Sequence, residues 1–283
     1  MGLRLIFCVW LALPTSTIAR AENPPDLLAA PAHQAEQKKI DEVLDRWAAW
    51  NASVKTFECR VKRWHYDYVF GSPNVPRTVD LGRIWYLAPD YLVVRFEATE
   101  THGKVVPMEP QRVEHLILRR NTVGEYRAHR KELIEYCLPA EWDMKRIVDG
   151  PLSFIFTATL LERYLAGDGY AQPLPFAATA EELKRTNELR LVTPAERKGE
   201  IWLQAVPRGS PRSKWIGSRQ LILRGVDAQP IALQVVAANN RATTNYQFFE
   251  MKQSNFNDGK FPAEVFWPEL PSDWKKIDHL IGK

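Results

Sequence analysis

The sequence predicts an α+β protein: one long antiparallel sheet, a helix before it and helices inserted midway. Three observations carry that prediction. Apolar residues recur at helical spacing from Ala35 to Trp50. From Val54 onward the period changes to two, through many short segments. The links between those segments are turn signals too short for crossover helices, which makes neighbouring strands antiparallel.

The elements follow in order. In Ala35–Trp50, Ile40, Val43, Leu44, Trp47 and Trp50 form one stripe, with Lys38, Lys39, Asp41, Glu42, Asp45 and Arg46 on the other face. That amphipathic helix lays one face on something larger. Next, Phe57, Cys59 and Val61 alternate with charged residues, and Trp64, Tyr66, Tyr68 and Phe70 continue in the opposite phase. A bulge near Lys62-Arg63 would account for the switch. Further strands are expected at Asp80–Leu87, Tyr91–Thr99, Arg112–Arg119, Glu125–His129 and Leu133–Leu138. Ala88-Pro89-Asp90, His102-Gly103-Lys104 and Arg120-Asn121 separate them as turns. Helical pattern returns at Glu141–Val148 and Ala158–Ala166, and Gly167–Thr179 reads as a surface loop. Strands resume at Glu188–Val192, Glu200–Val206, Ser218–Gly225, Ile231–Ala237 and Thr243–Lys252, with a last one near Glu264–Trp267.

The first 21 residues read differently. Arg4 supplies a positive start, Leu5–Leu13 an apolar core and Ala19-Arg20-Ala21 a small-x-small ending, the pattern of a signal peptide cut before Glu22. Cys8 lies inside the apolar core rather than after it, which argues against a lipid-anchored cysteine. Residues 22–34, rich in Pro and Ala, read as a flexible tether, and residues 35–283 as a single domain. Exported chains meet an oxidising compartment. Of the two cysteines left, Cys59 and Cys137, the favoured reading is a pair of free thiols; a disulfide is the alternative.

Composition bounds the function. The 283 residues are 45% hydrophobic and 25% charged, average for a globular chain. Without Arg4 and Arg20, Lys+Arg falls from 38 to 36 against 34 acidic residues, a net charge of +2. That balance leaves no footprint for nucleic acid. The sequence has no Gly-rich phosphate loop, no metalloprotease pair of histidines and no nucleophile elbow. His33, His65, His102, His115, His129 and His279 are scattered, none at ligand spacing, so no metal or cofactor is expected. The basic cluster Arg127, His129, Arg130 and Lys131 reads as a solvated hairpin.

Several segments carry a resemblance. Gly82-Arg83-Ile84-Trp85-Tyr86 followed by Pro89-Asp90-Tyr91-Leu92 resembles the early strand pair of the outer-membrane lipoprotein carrier family. The order around it is similar: a leading amphipathic helix before Phe57-x-Cys59-x-Val61, a hairpin at Leu116–Tyr136, an apolar insert at Pro151–Phe156, and Asn240 with Thr243–Phe248. Lys131–Pro139, Asp149–Phe156 and Ile201–Arg208 resemble recurring pieces of an exported family of unknown role associated with planctomycetes, a branch with the same carrier-like fold. The resemblance spans about residues 35–278 as an ordered set of short motifs. It implies a curved antiparallel sheet forming an incomplete β-barrel, its mouth covered by the N-terminal amphipathic helix and the inserted helices. In the carriers the cavity is implied to shield lipoprotein acyl chains. Where the carriers place an Arg before the Pro of the strand pair, this chain has Ala88, which sets it apart from the carriers' handover of cargo.

Within that architecture, alternation puts Phe57, Cys59 and Val61, then Ile84 and Tyr86, then Leu92, Val94 and Phe96 on one inward face. Leu44 and Trp47 cover them from the helix, with Phe154 and Phe156 from the insert. The expected ligand-lining set is therefore Leu44, Trp47, Phe57, Val61, Ile84, Tyr86, Val94, Phe96, Phe154 and Phe156. The function expected is that of an exported, non-catalytic binding protein for lipid or acylated lipoprotein, a role that allows contact with a membrane surface. The alternative is a structural or interaction module in which the same residues close into a core without a ligand.

Overall fold

The computed structural model describes residues 29–72, 74–89, 91–120, 122–137, 183–185, 187–208, 216–251, 261 and 263–280, with side chains from residue 34 onward except at 216, 263 and 280. The expected signal peptide, the helices Glu141–Val148 and Ala158–Ala166, and Phe154 and Phe156 lie outside them.

A first helix, α1 (Ala29–Ser53), precedes β1 (Thr56–Asp67), β2 (Thr78–Leu87), β3 (Tyr91–Thr101), β4 (Lys104–Pro107), β5 (Glu114–Arg119), β6 (Thr122–Arg127) and β7 (Glu132–Cys137). After residue 186 come β8 (Asn187–Leu191), β9 (Glu200–Pro207), β10 (Ile216–Arg224), β11 (Pro230–Ala237) and β12 (Ala242–Phe249). A short helix, α2 (Ala263–Phe266), and β13 (Lys275–Leu280) end the described chain. All thirteen strands belong to one curved, unclosed sheet, in the order β13-β7-β6-β5-β3-β2-β1-β12-β11-β10-β9-β8, with β4 on the free part of β3. Cys137 ends β7, beside the edge strand β13, and Asn187 begins β8 at the other edge of the sheet.

The structure corrects four expectations. No bulge interrupts β1, whose register runs unbroken from Thr56 to His65 against β2 and from Arg60 to Asp67 against β12. The irregularity lies in the next ladder, between Leu81 and Gly82. There a Cβ on Gly82 would stand 2.3 Å from the Arg95 carbonyl oxygen, so the position admits only glycine. The last strand is not Glu264–Trp267, which is the helix α2; it is Lys275–Leu280, and it pairs with β7 in parallel. A four-residue apolar run cannot by its period distinguish helix from strand. Third, α1 begins at Ala29, before the expected start at Ala35, and takes in Pro31, which a first helical turn tolerates. Finally, the short β4 was not anticipated; its side chains are all exposed and leave no alternation to read.

Two apolar clusters lie on opposite faces of the sheet. The inner one joins Ile40, Val43, Leu44 and Trp47 of α1 to inward residues of nearly every strand from β7 to β9. The outer one is small: Val93, Ile117, Tyr126 and Leu133 lie under Phe266 of α2, flanked by Trp85, Tyr91 and Trp274. Tyr91 meets Phe266 and Trp267 at ring-centroid distances of 6.1 and 5.0 Å. Strands buried on both faces lose alternation, which is why Leu92-Val93-Val94 and Leu116-Ile117-Leu118 are unbroken apolar runs.

Candidate functional site

The inner face is built by register. Phe57 opposes Tyr86, Cys59 opposes Ile84 and Val61 opposes Gly82. Across the next ladder Tyr86 opposes Leu92, Ile84 opposes Val94 and Gly82 opposes Phe96. Paired residues in antiparallel strands project to the same face. The stripe of α1 closes over them, and Trp50 meets the Phe57 ring edge-on at 6.2 Å. Leu44, Trp47, Phe57, Val61, Ile84, Tyr86, Val94 and Phe96 are thereby brought into one cluster, each 0–4% exposed. Eight of the ten expected lining residues therefore pack together; the other two, Phe154 and Phe156, are outside the described residues. Cys59 and Cys137 are separate thiols, and burial raises the pKa of Cys59 well above the usual thiol value.

Polar contacts fasten α1 at its flanks. Asp41 pairs with Lys184 at 2.7 Å, and Arg46 donates to the Gly225 carbonyl oxygen at 2.9 Å. Both are on the exposed side, where such contacts contribute little. The grip of the helix is its apolar stripe.

That stripe includes a residue no apolar pattern could show. Asn51 stands one turn beyond Trp47, is only 4% exposed, and neither its amide nitrogen nor its amide oxygen has a hydrogen-bond partner among the described residues. An unsatisfied buried polar group costs about 1–3 kcal/mol. The signal available in sequence was a single Asn at the i+4 position from Trp47 on an otherwise apolar face.

Further along the same strands the inner face changes character. Arg63 faces inward beyond Val61 and opposes Asp80. Its guanidinium donates to Asp80 Oδ2 at 2.9 Å and to the two Glu114 carboxylate oxygens at 2.6 and 2.8 Å. Arg112 donates to the other Asp80 oxygen at 3.1 Å. Arg63 also lies over the Phe96 ring, 4.1 Å from its centre. The Asp80 side chain is 3% exposed and that of Arg63 14%. Burial works against the charge on Arg63, but Glu114 and Asp80 more than offset it and its pKa rises. The phase switch along β1 has its physical cause here: apolar residues leave the inner face because that face becomes an ion network, and Trp64 and Tyr66 project outward.

His115 lies on the outer face, stacked on Tyr126 at 4.7 Å. Burial, with the nearby Arg95 charge, pushes its pKa down to about 4. Among the described residues no group of His, Cys, Asp and Glu is placed to hold a metal ion. A cleft of about 380 Å³ opens between α1 and β8, walled by Glu36, Gln37, Lys184, Asn187 and Arg190. None of the eight described members of the expected lining set belongs to it.

No family model matches the chain, and no curated protein matches it in sequence. Comparison with solved structures does find similar chains. An uncharacterized conserved protein from Thermus thermophilus is 12% identical, with a TM-score of 0.38 over 85% of this chain and 99% of its own. A LolA superfamily protein from Nitrosomonas europaea is 7% identical, with a TM-score of 0.34 over 80% of this chain and 96% of its own. MucB in the Pseudomonas aeruginosa MucA/MucB complex is 13% identical, with a TM-score of 0.36 over 74% of this chain and 55% of its own. Identities of 7–13% and scores below 0.4 leave the function to be read from this chain's own residues.

Proposed function

We propose that the protein is an exported, non-catalytic binding protein that shelters an apolar chain, such as the acyl chain of a lipid or lipoprotein, between α1 and the inner face of its sheet. The observation that carries this reading is Asn51 on the buried stripe of α1. A helix seated permanently in a core has no use for an amide with both ends unpaired, whereas a helix that makes way for a ligand gains a polar contact for the ligand's head or ester group. The apolar exchange is close to balanced, because an acyl chain taking the place of Leu44 and Trp47 against Phe57, Val61, Ile84 and Phe96 replaces one apolar contact by another. Each CH₂ of the ligand removed from water contributes about 0.8 kcal/mol.

Titration with saturated fatty acids of graded length tests the reading. Affinity should rise up to about fourfold per added CH₂ until the site is full. Ile84→Trp should reduce binding more than it reduces stability. Absence of saturable binding by folded parent protein would overturn the proposal. It would favour instead an interaction module with a closed core, a second reading supported by the 0–4% exposure of the eight clustered residues.

Export rests on Arg4, Leu5–Leu13 and Ala19-x-Ala21. N-terminal sequencing of the mature protein should begin at Glu22, and a product retaining Met1 would contradict it. Among the described residues no helix is long and apolar enough to cross a membrane.

A further inference from the structure

We propose that one end of the sheet docks on an anionic lipid surface, with the β1–β2 hairpin tip entering the interface. The tip displays Tyr68, Val69, Phe70 and Val75, all exposed, and Phe70 at 86% is the most exposed of the large apolar side chains among the described residues. This display is built rather than loose. Asp67 Oδ1 accepts from the Val69 and Phe70 backbone N–H groups at 2.9 and 3.1 Å, and Asp67 Oδ2 accepts from Arg77 at 2.9 Å. The Tyr68 N–H donates to the Arg241 carbonyl oxygen at 2.8 Å, binding the tip to the neighbouring loop. A turn held so firmly keeps an aromatic ring in water, a costly placement with no benefit to the fold.

The charges at the same end of the sheet select the partner. Register puts the β1–β2 tip, the turn before β4, the turn between β6 and β7, and the turn before β12 at the same end of the strands. They carry Lys104, Arg130 and Arg241, all exposed, and none of the three takes an ion pair among the described residues. Arg77 and Lys131, at the same end, pair with Asp67 and Asp273. An apolar tip at the end of the sheet that also carries unneutralised cations is the pattern of a peripheral lipid contact: the ring enters the headgroup boundary while the cations meet anionic headgroups. The opposite end offers a control in Val226, an exposed apolar residue in the β10–β11 turn at 81%.

The test is sedimentation of the full mature chain with vesicles of equimolar phosphatidylglycerol and phosphatidylcholine, and with pure phosphatidylcholine. The parent should bind the anionic vesicles, more weakly at high salt, and the neutral vesicles at least about tenfold less. Phe70→Asp should weaken anionic-vesicle binding about tenfold, and Lys104→Glu with Arg130→Glu by a similar factor, each at unchanged melting temperature. Val226→Asp should bind like the parent. No binding to anionic vesicles, equal binding by Phe70→Asp, or equal loss from Val226→Asp would overturn the proposal. Fatty-acid titration of the same variants keeps this result separate from the interior site: Phe70→Asp should retain parental fatty-acid affinity.

Discussion

The two halves of β1 face the same interior and solve it in opposite ways. From Phe57 to Val61 the inward side chains are apolar, fully buried and covered by α1. From Arg63 onward they are polar: Arg63 is held in a network with Asp80, Glu114 and Arg112, His65 meets the Thr244 hydroxyl, and Asp67 pairs with Arg77. The apolar half rests on shape and area, which tolerate conservative exchange. The charged half rests on complementarity, in which the loss of one partner strands the others. One strand therefore carries two kinds of specificity, and substitutions of similar size should separate them.

The widest contrast comes from Asp80→Asn against Phe57→Leu. Asp80→Asn keeps the shape but leaves Arg63 and Arg112 without their shared carboxylate, and should cost about 3–5 kcal/mol in denaturant unfolding. Phe57→Leu should cost about 1.5 kcal/mol or less if the neighbours close in. Equal losses would dissolve the distinction. Next in size is the cover of the apolar half. Trp47→Ala should cost about 3 kcal/mol or more and Trp47→Asp still more, whereas Asp45→Lys on the exposed side of the same helix should leave the melting temperature unchanged. If Trp47→Asp melts like the parent, α1 is not the cover of this face.

A smaller effect sharpens the comparison from the outer face. The folded pKa of His115 is about 4, below the unfolded value near 6.5, so the unfolded chain binds more protons between those values. The stability that neutral His115 permits is therefore present above about pH 6.5 and is lost as pH falls toward 4. His115→Phe keeps the stack on Tyr126 and should flatten the pH dependence of the melting temperature across that window. An unchanged slope would show that His115 does not govern it. The smallest effect is expected at Lys131–Asp273, an ion pair in which both side chains are more than half exposed. Lys131→Ala should leave thermal unfolding unaltered.

Much of the fold was legible because the relevant signals are local. Alternation located β1 to β3 and β9 to β12 within a few residues, and helical spacing picked out the four α1 side chains that enter the core. What escaped depends on distant partners or on ambiguous runs. Arg63 could not be joined to Glu114 by spacing, since 51 residues separate them and only register unites them. The apparent bulge at Lys62-Arg63 followed from assuming that the inner face stays apolar throughout. The run Val265-Phe266-Trp267 fits strand and helix alike, and its place under the outer cluster depends on Val93 and Ile117 being buried from behind. Of the site, the apolar members were readable and the polar one was not: Asn51 interrupts a stripe that had been traced through apolar residues alone.

Asn51 also provides the most direct test of the central claim, because its role in binding and its effect on the fold predict changes of opposite sign. Asn51→Leu keeps a side chain branched at Cγ and removes two unsatisfied polar atoms from the interior. Unfolding and palmitate titration of this variant beside the parent should show a gain in stability of about 1–3 kcal/mol together with weaker palmitate binding. If stability falls, or if binding is unchanged while stability rises, Asn51 does not serve a ligand beneath α1, and the account of this face as a binding site is contradicted.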